Sequence, residues 1–171
     1  RDGQTRIAAW YLWVRGSDTQ AGSAFENAST HGLLQLDNGE IWAATEAGGA
    51  AVMDAQLNVI GAVRPKPMEI GGNGAAQRVL AIAQTVDGTV WLGANNALYQ
   101  FNRERRQLKV IPFAIAHEWQ FFAGSEGTLW IGTQDGLYRL RPGATAPVHV
   151  AQKGGEPLGG VIHALAEAVD K

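Results

Sequence analysis

The sequence predicts an all-β chain, a β-propeller fragment of three four-stranded antiparallel blades plus part of a fourth. Three observations lead there. The first is a phrase written three times: Asn38-Gly39-Glu40-Ile41-Trp42-Ala43-Ala44, Asp87-Gly88-Thr89-Val90-Trp91-Leu92-Gly93 and Glu126-Gly127-Thr128-Leu129-Trp130-Ile131-Gly132. Each copy is a turn dipeptide followed by a short strand with a central Trp. The second is that the copies stay in step on both sides of the Trp. Leu98-Tyr99 follows Trp91 at the offset at which Leu137-Tyr138 follows Trp130, and Ala50-Ala51 takes the same place after one extra residue. An apolar run also precedes each turn, at Gly32–Leu36, Val79–Ala83 and Trp119–Ala123. The third is the spacing of the tryptophans, about 40–50 residues with no helical pattern between them, which is the length of one propeller blade.

Composition agrees. The 171 residues contain 22 Gly against 6 Pro, with 46% hydrophobic and 18% charged residues, enough for a core punctuated by glycine turns. A net charge of −2 leaves no basic footprint, so no nucleic-acid partner is expected. The absence of Cys excludes disulfides, thiolate zinc sites and cysteine nucleophiles, and leaves the redox compartment open. No apolar run approaches the roughly 20 residues that cross a bilayer as a helix. The chain begins at Arg1 rather than Met and reads as an excised or processed segment of a longer parent.

Residues 1–30 hold an N-terminal strand and a loop. Arg6–Arg15 is apolar and aromatic, and is expected to be a strand packed on the first blade; the alternatives are a closing strand of a preceding unit or a segment that pairs with another chain. Gly16–Thr30 is rich in Gly, Ser, Asp, Thr and Asn, without periodicity, and reads as loop. Blade one covers residues 31–63, with strands Gly32–Leu36, Glu40–Thr45, Ala50–Asp54 and Leu57–Val63. Its first turn contains Asn38-Gly39, a pair that tolerates positive φ at both positions. Arg64–Ala76, with two prolines and three glycines, is an insertion that lengthens the first period. Blade two, residues 78–112, reads Arg78–Val86, Thr89–Gly93, Ala97–Asn102 and Gln107–Pro112, with the charged outer turn Arg103-Glu104-Arg105-Arg106 guarding the edge. Blade three, residues 113–150, reads His117–Ala123, Thr128–Thr133, Gly136–Arg141 and Val148–Val150. Residues 161–171 begin a further blade: Val161–Asp170 superposes on Arg78–Asp87 and is expected to be a strand, with a short helix as the alternative.

The pattern D-G-x-[VL]-W-[LI]-G followed by x-[AG]-L-Y, carried by Asp87–Tyr99 and Gly127–Tyr138, resembles the two-component regulator propeller repeat. Blades two and three match closely, blade one loosely, and the cut unit in part. Ala43-Ala44 and Ala97 depart from the pattern, which leaves the edge of blade one open. The resemblance implies a propeller-type sensor module, outside the cytoplasm, that passes ligand binding to a histidine kinase or diguanylate cyclase output domain elsewhere in a membrane-anchored parent.

Site residues follow from topology. Trp42, Trp91 and Trp130 sit in strands that blades bury on both faces, so they are expected to be core. In an up-and-down blade, the connection from strand two to three and the link from strand four to the next blade share one end, and loops at one end of a rigid scaffold collect binding residues. That end should hold Asn95, Asn96, Gln134, Asp135 and the insertion with Arg64, Lys66 and Asn73. It should also hold the column at the start of each inner strand, His31, Leu80, Trp119 and His163. Trp119, off the repeat register and flanked by His117 and Glu118, is the strongest single candidate for ligand contact; a solvated loop or a channel filler is the alternative for each of these residues.

Catalysis finds little support. The histidines at 31, 117, 149 and 163 have no metal-ligand spacing, His117-Glu118 lacks a second His on a helix, and Ser23, Ser29 and Ser125 lack a nucleophile elbow. Gly71-Gly72-Asn73-Gly74 has no P-loop Lys. The expectation is a non-enzymatic sensory or ligand-binding module without cofactor or metal, taking a small molecule or oligosaccharide. A protein–protein scaffold and a propeller lyase or hydrolase are the alternatives. The cut fourth unit and the spare Arg6–Arg15 strand predict self-association of the fragment.

Overall fold

The computed structural model describes residues 6–8, 11–15, 28–46, 49–65, 78–94, 97–104, 106–113, 120–151 and 154–168. Three antiparallel sheets stand in chain order, with no helix among the described residues. Blade one contains β3 (Thr30–Gln35), β4 (Ile41–Thr45), β5 (Gly49–Met53) and β6 (Val59–Pro65). Blade two contains β7 (Val79–Gln84), β8 (Val90–Ala94), β9 (Ala97–Asn102) and β10 (Gln107–Pro112). Blade three contains β11 (Gln120–Ala123), β12 (Leu129–Thr133), β13 (Gly136–Leu140) and β14 (Val148–His149). In each, every strand pairs with its sequence neighbour, the up-and-down order expected of a blade.

Arg6–Arg15 forms two strands rather than one. β1 (Arg6–Ala8) and β2 (Tyr11–Arg15) make a hairpin, and β2 pairs antiparallel with β6, so blade one becomes a six-stranded sheet ordered β1-β2-β6-β5-β4-β3. The expectation of a strand packed on the first blade holds, and the hairpin covers the edge that β6 would otherwise present.

Alternation along the strands explains why the sheets stack. Successive side chains point to opposite faces, so Val90, Leu92 and Ala94 join Trp42, Ala44, Val52 and Val63 in the core between blades one and two, while Trp91 turns the other way. Trp91, Leu98 and Ile111 meet Leu129, Ile131 and Leu140 between blades two and three. Trp42 is 1% and Trp91 7% exposed. Trp130 is the exception to the expected burial: it is half-buried, on the far side of blade three, where among the described residues no complete sheet stacks on it.

The repeated turn is built alike three times, and differently from the simplest reading of Asn-Gly. Gly39, Gly88 and Gly127 have φ of 83°, 79° and 77°, whereas Asn38 and Asp87 do not take positive φ. Gly39 N–H donates to Leu36 O at 2.9 Å and Leu36 N–H to Glu40 O at 2.9 Å; the pairs Gly88–Thr85 with Thr85–Thr89, and Gly127–Gly124 with Gly124–Thr128, repeat this. This is the three-residue hairpin in which a type I turn ends on a left-handed Gly.

The fourth unit is neither of the two elements anticipated. Residues 161–168 form no regular strand and no helix. They nonetheless lie where an inner strand would: Ile162 N–H donates to Thr133 O at 3.0 Å, and a Cβ on Gly132 would come within 2.6 Å of Ile162 Cγ2. The inner strands β3, β7 and β11 are each laddered by the following strand of their own blade, whereas the backbone bond from Ile162 to Thr133 reaches 161–168 from the second strand of the preceding blade.

Candidate functional site

The two ends of the blades differ in chemistry. At one end lie the connections from strand two to three. Thr45 Oγ1 donates to Gly49 O at 3.0 Å and Thr133 Oγ1 to Gly136 O at 2.9 Å, so a buried Thr closes each hairpin. The glycines are required: φ is 151° at Gly49 and 125° at Gly136, and a Cβ would lie 2.5 Å from Val63 O and 2.0 Å from Leu158 O.

At this end stand those sequence-predicted site residues that are described. His31, in β3, places Nε2 2.9 Å from Glu46 Oε1, and Arg78 Nη2 pairs with the same oxygen. Hydrogen bonds from His31 and then Arg78 hold the Glu46 carboxyl below its ordinary range. Arg64, in β6, lies over Gly49, with its Cγ 3.1 Å from where a Cβ on that glycine would stand. Gln134 and Asp135 form the tight turn of blade three, Asp135 N–H donating to Thr133 Oγ1 at 3.1 Å, and His163 follows the residue bonded to Thr133. The structure therefore joins His31 to its own blade's loop and sets Gln134, Asp135 and His163 at blade three. Trp119, His117, Glu118, Asn95 and Asn96, with Lys66 and Asn73, lie outside the described residues. Glu46 and Arg78 were missed. Glu46 occupies the repeat position of Asn95 and Gln134, so the register that selected those two also points to it.

Two cavities lie at the opposite end, among the repeated turns and the outer turns between strands three and four. A cleft of about 510 Å³ opens between blades one and two. Blade one lines it with Asp37, Glu40 and Trp42; blade two supplies Asp87, Gly88 and Thr89 from its repeated turn, Phe101 and Asn102 from the end of β9, and Arg103, Glu104 and Arg106 from its outer turn. Arg103 Nη1 reaches across to Asp37 Oδ1 at 3.0 Å. The floor is aromatic, with Trp42 and Phe101 centroids 5.4 Å apart, and Trp42 Nε1 donates to Glu40 Oε2 at 3.2 Å. Burial raises the pKa of Asp87, but hydrogen bonds from the Thr85 hydroxyl and from the Thr89 amide and hydroxyl outweigh it, so the carboxyl titrates below its ordinary value.

A second cavity of about 360 Å³ runs along the inner side of the same turns, past Asp37, Gln84, Val86 and Ser125 to Glu167. Glu167 accepts from both the amide and the hydroxyl of Ser125, at 3.1 and 2.9 Å, which fastens the last described segment to blade three. His31, Arg64, Gln134, Asp135 and His163 line neither of these two cavities. Among the described residues, no group of three or more His, Cys, Asp and Glu is placed to hold a metal ion.

No protein-family model matches the sequence, and no curated protein matches it. Solved structures do. Two structures of the extracellular domain of BT4673 from B. thetaiotaomicron, described as a one-component system in one and a hybrid two-component system in the other, superpose with TM-scores of 0.62 and 0.60. Both are 16% identical over 91% of this chain. Virginiamycin B lyase from Staphylococcus aureus, in a catalytically inactive variant with quinupristin, superposes with a TM-score of 0.55 at 10% identity, over 84% of this chain and 53% of the lyase. The chain spans 23% of the length of the BT4673 domains. By its three sheets, their order and these superpositions, the chain is a stretch of β-propeller with the fold of the BT4673 extracellular domain.

Proposed function

We propose that this chain is part of a non-enzymatic sensory propeller of a bacterial signalling protein, held outside the cytoplasm and coupled to a kinase or cyclase output domain elsewhere in its parent. One observation carries the reading: a chain with the two-component regulator repeat phrase also superposes, over nine-tenths of its length, on an extracellular domain described as part of a one- or two-component system. The described residues contain no helix long and apolar enough to cross a membrane. A ligand that binds only the folded state raises stability by about 2.7 kcal/mol at a hundred times its Kd. Thermal unfolding against oligosaccharides, short peptides and small acids should therefore show a dose-dependent rise for one class. A flat response across all three would remove the sensory reading.

The superposition on the lyase favours one competing reading, a propeller enzyme. Turnover of quinupristin, followed by mass spectrometry, distinguishes it, since a sensor leaves that compound intact. The half-buried Trp130 and the unladdered residues 161–168 also support self-association through the far face of blade three. Light scattering across a concentration series should show a mass that rises with concentration, and a constant monomer mass would rule this out.

A further inference from the structure

The cleft between blades one and two is not a general product of blade stacking. At the corresponding groove between blades two and three, Val86 stands in the place of Asp37 and Pro142 in the place of Arg103, and both pack on Gly127, within 3.1 and 3.3 Å of where its Cβ would be. Between blades one and two the same two positions carry an ion pair across a space of about 510 Å³. That volume falls within the range of small-molecule sites. Its walls carry both signs of charge, and the cations are confined to one element. Both guanidiniums, Arg103 and Arg106, come from the outer turn of blade two; Asp37, Glu40 and Asp87 come from the two inner turns, with Glu104 beside the arginines.

We propose that this cleft binds a small zwitterion, a free α-amino acid or a dipeptide. The carboxylate of the ligand lies at the outer turn, where a guanidinium presents a planar fork matched to it. Its ammonium lies toward Glu40 and Asp87. Asp87 is suited to this because three hydrogen bonds keep it ionised, and a carboxylate has about four acceptor positions, which leaves room for one more donor. The exposed Asp37 holds Arg103 in the free protein and exchanges it for the ligand carboxylate on binding, so the arginine stays paired in both states.

The test is calorimetric titration of the chain with the free amino acids and with dialanine, repeated for each binder as its carboxamide and its N-acetyl derivative. At least one free zwitterion should bind, and each derivative should bind about tenfold or more weakly, a difference of about 1.4 kcal/mol. Arg103→Gln should weaken the free acid while leaving the weaker carboxamide unchanged; thermal unfolding of the unliganded variant checks that it folds. Backbone amide NMR shifts should fall at residues 37–40, 87–89 and 101–106. Binding by none of the ligands, equal binding of parent and derivatives, or shifts confined to the end that holds His31 and Glu46 would each overturn the proposal. It stands apart from the sensory reading, since a signalling role without zwitterion binding, or the reverse, remains measurable.

Discussion

Trp42 and Trp130 occupy the same position of the same repeat, yet one is sealed and the other half open. Trp42 is 1% exposed, tilted against Phe101 of the next blade, with its indole N–H on Glu40. Trp91 lies between blades two and three and donates to Thr85 Oγ1 at 3.1 Å. Among the described residues, the face of β12 that carries Trp130 meets the segment of Ile162, and the position that holds Thr85 in blade two is Gly124 here, whose missing Cβ would stand 3.2 Å from the Trp130 indole nitrogen. The repeat phrase specifies which way the indole points. Its burial is supplied by the neighbouring blade, as expected where repeats are stabilised by nearest-neighbour contacts.

The sharpest way to break that comparison is truncation. Trp42→Ala should cost about 3–5 kcal/mol, the usual range for emptying a sealed aromatic site, and Trp130→Ala clearly less, because part of its surface is already wet. Urea midpoints at unchanged slope measure both; equal losses would mean that blade three is sealed in solution, by a second copy or another segment. Next in size is a backbone contrast. Gly136→Ala puts a Cβ 2.0 Å from Leu158 O at a φ of 125°, and should cost about 1–3 kcal/mol. Blade two has Ala97 at the same repeat position, where the methyl is buried in the core, and Ala97→Gly should cost about 1–2 kcal/mol through chain entropy and the lost methyl, with no backbone clash. A neutral Gly136→Ala would show that residues 154–160 do not hold their place over blade three.

Most of the fold was legible because it is written in period and punctuation. The strands Ala97–Asn102 and Gln107–Pro112 fall where the sequence puts them, as do the second strands within one residue, since a turn glycine and an alternating apolar run fix both ends. The turn geometry was less legible: Asn38 can adopt positive φ, but hydrogen bonds from Gly39 to Leu36 and from Leu36 to Glu40 select the three-residue form. The fourth unit differs because its residues match an inner strand in sequence, while the backbone bond from Ile162 to Thr133 alone does not make a strand of 161–168. The cleft was missed for another reason. Repeat register points to the end that carries the longest insertion, whereas the cleft depends on Asp37 and Arg103, 66 positions apart, meeting across two blades.

A smaller effect separates the repeated turns by pH. Asp87 has a depressed pKa in the fold, so its stabilising contribution is fully present above the ordinary carboxylate value of 3.8 and is lost as pH falls through the folded value. Blade one has Asn38 there, whose Oδ1 accepts from Glu40 N–H at 3.1 Å without titrating. Asp87→Asn should therefore lower stability at neutral pH and flatten its decline below about pH 4. Unchanged acid sensitivity in urea titrations at pH 3 and 7 would show that the Thr85 and Thr89 hydrogen bonds do not favour the ionised form.

The smallest effect belongs to the exposed cluster at the other end. Glu46 accepts from His31 and Arg78 on one oxygen, and its pKa is lowered, so whatever it contributes is present above its ordinary 4.5 and lost on acidification. All three side chains are solvent-accessible, where ion pairs gain little beyond the entropy they cost and are screened by salt. Glu46→Gln should thus shift the unfolding midpoint less than Asp87→Asn does. The shift should vanish near 1 M salt, where the screening length is about 3 Å; the Asp87 effect, made by three direct hydrogen bonds from Thr85 and Thr89 within its own turn, should persist. A Glu46→Gln loss that survives high salt would place this cluster among the contacts that hold blade two to blade one, because Arg78 leads directly into β7.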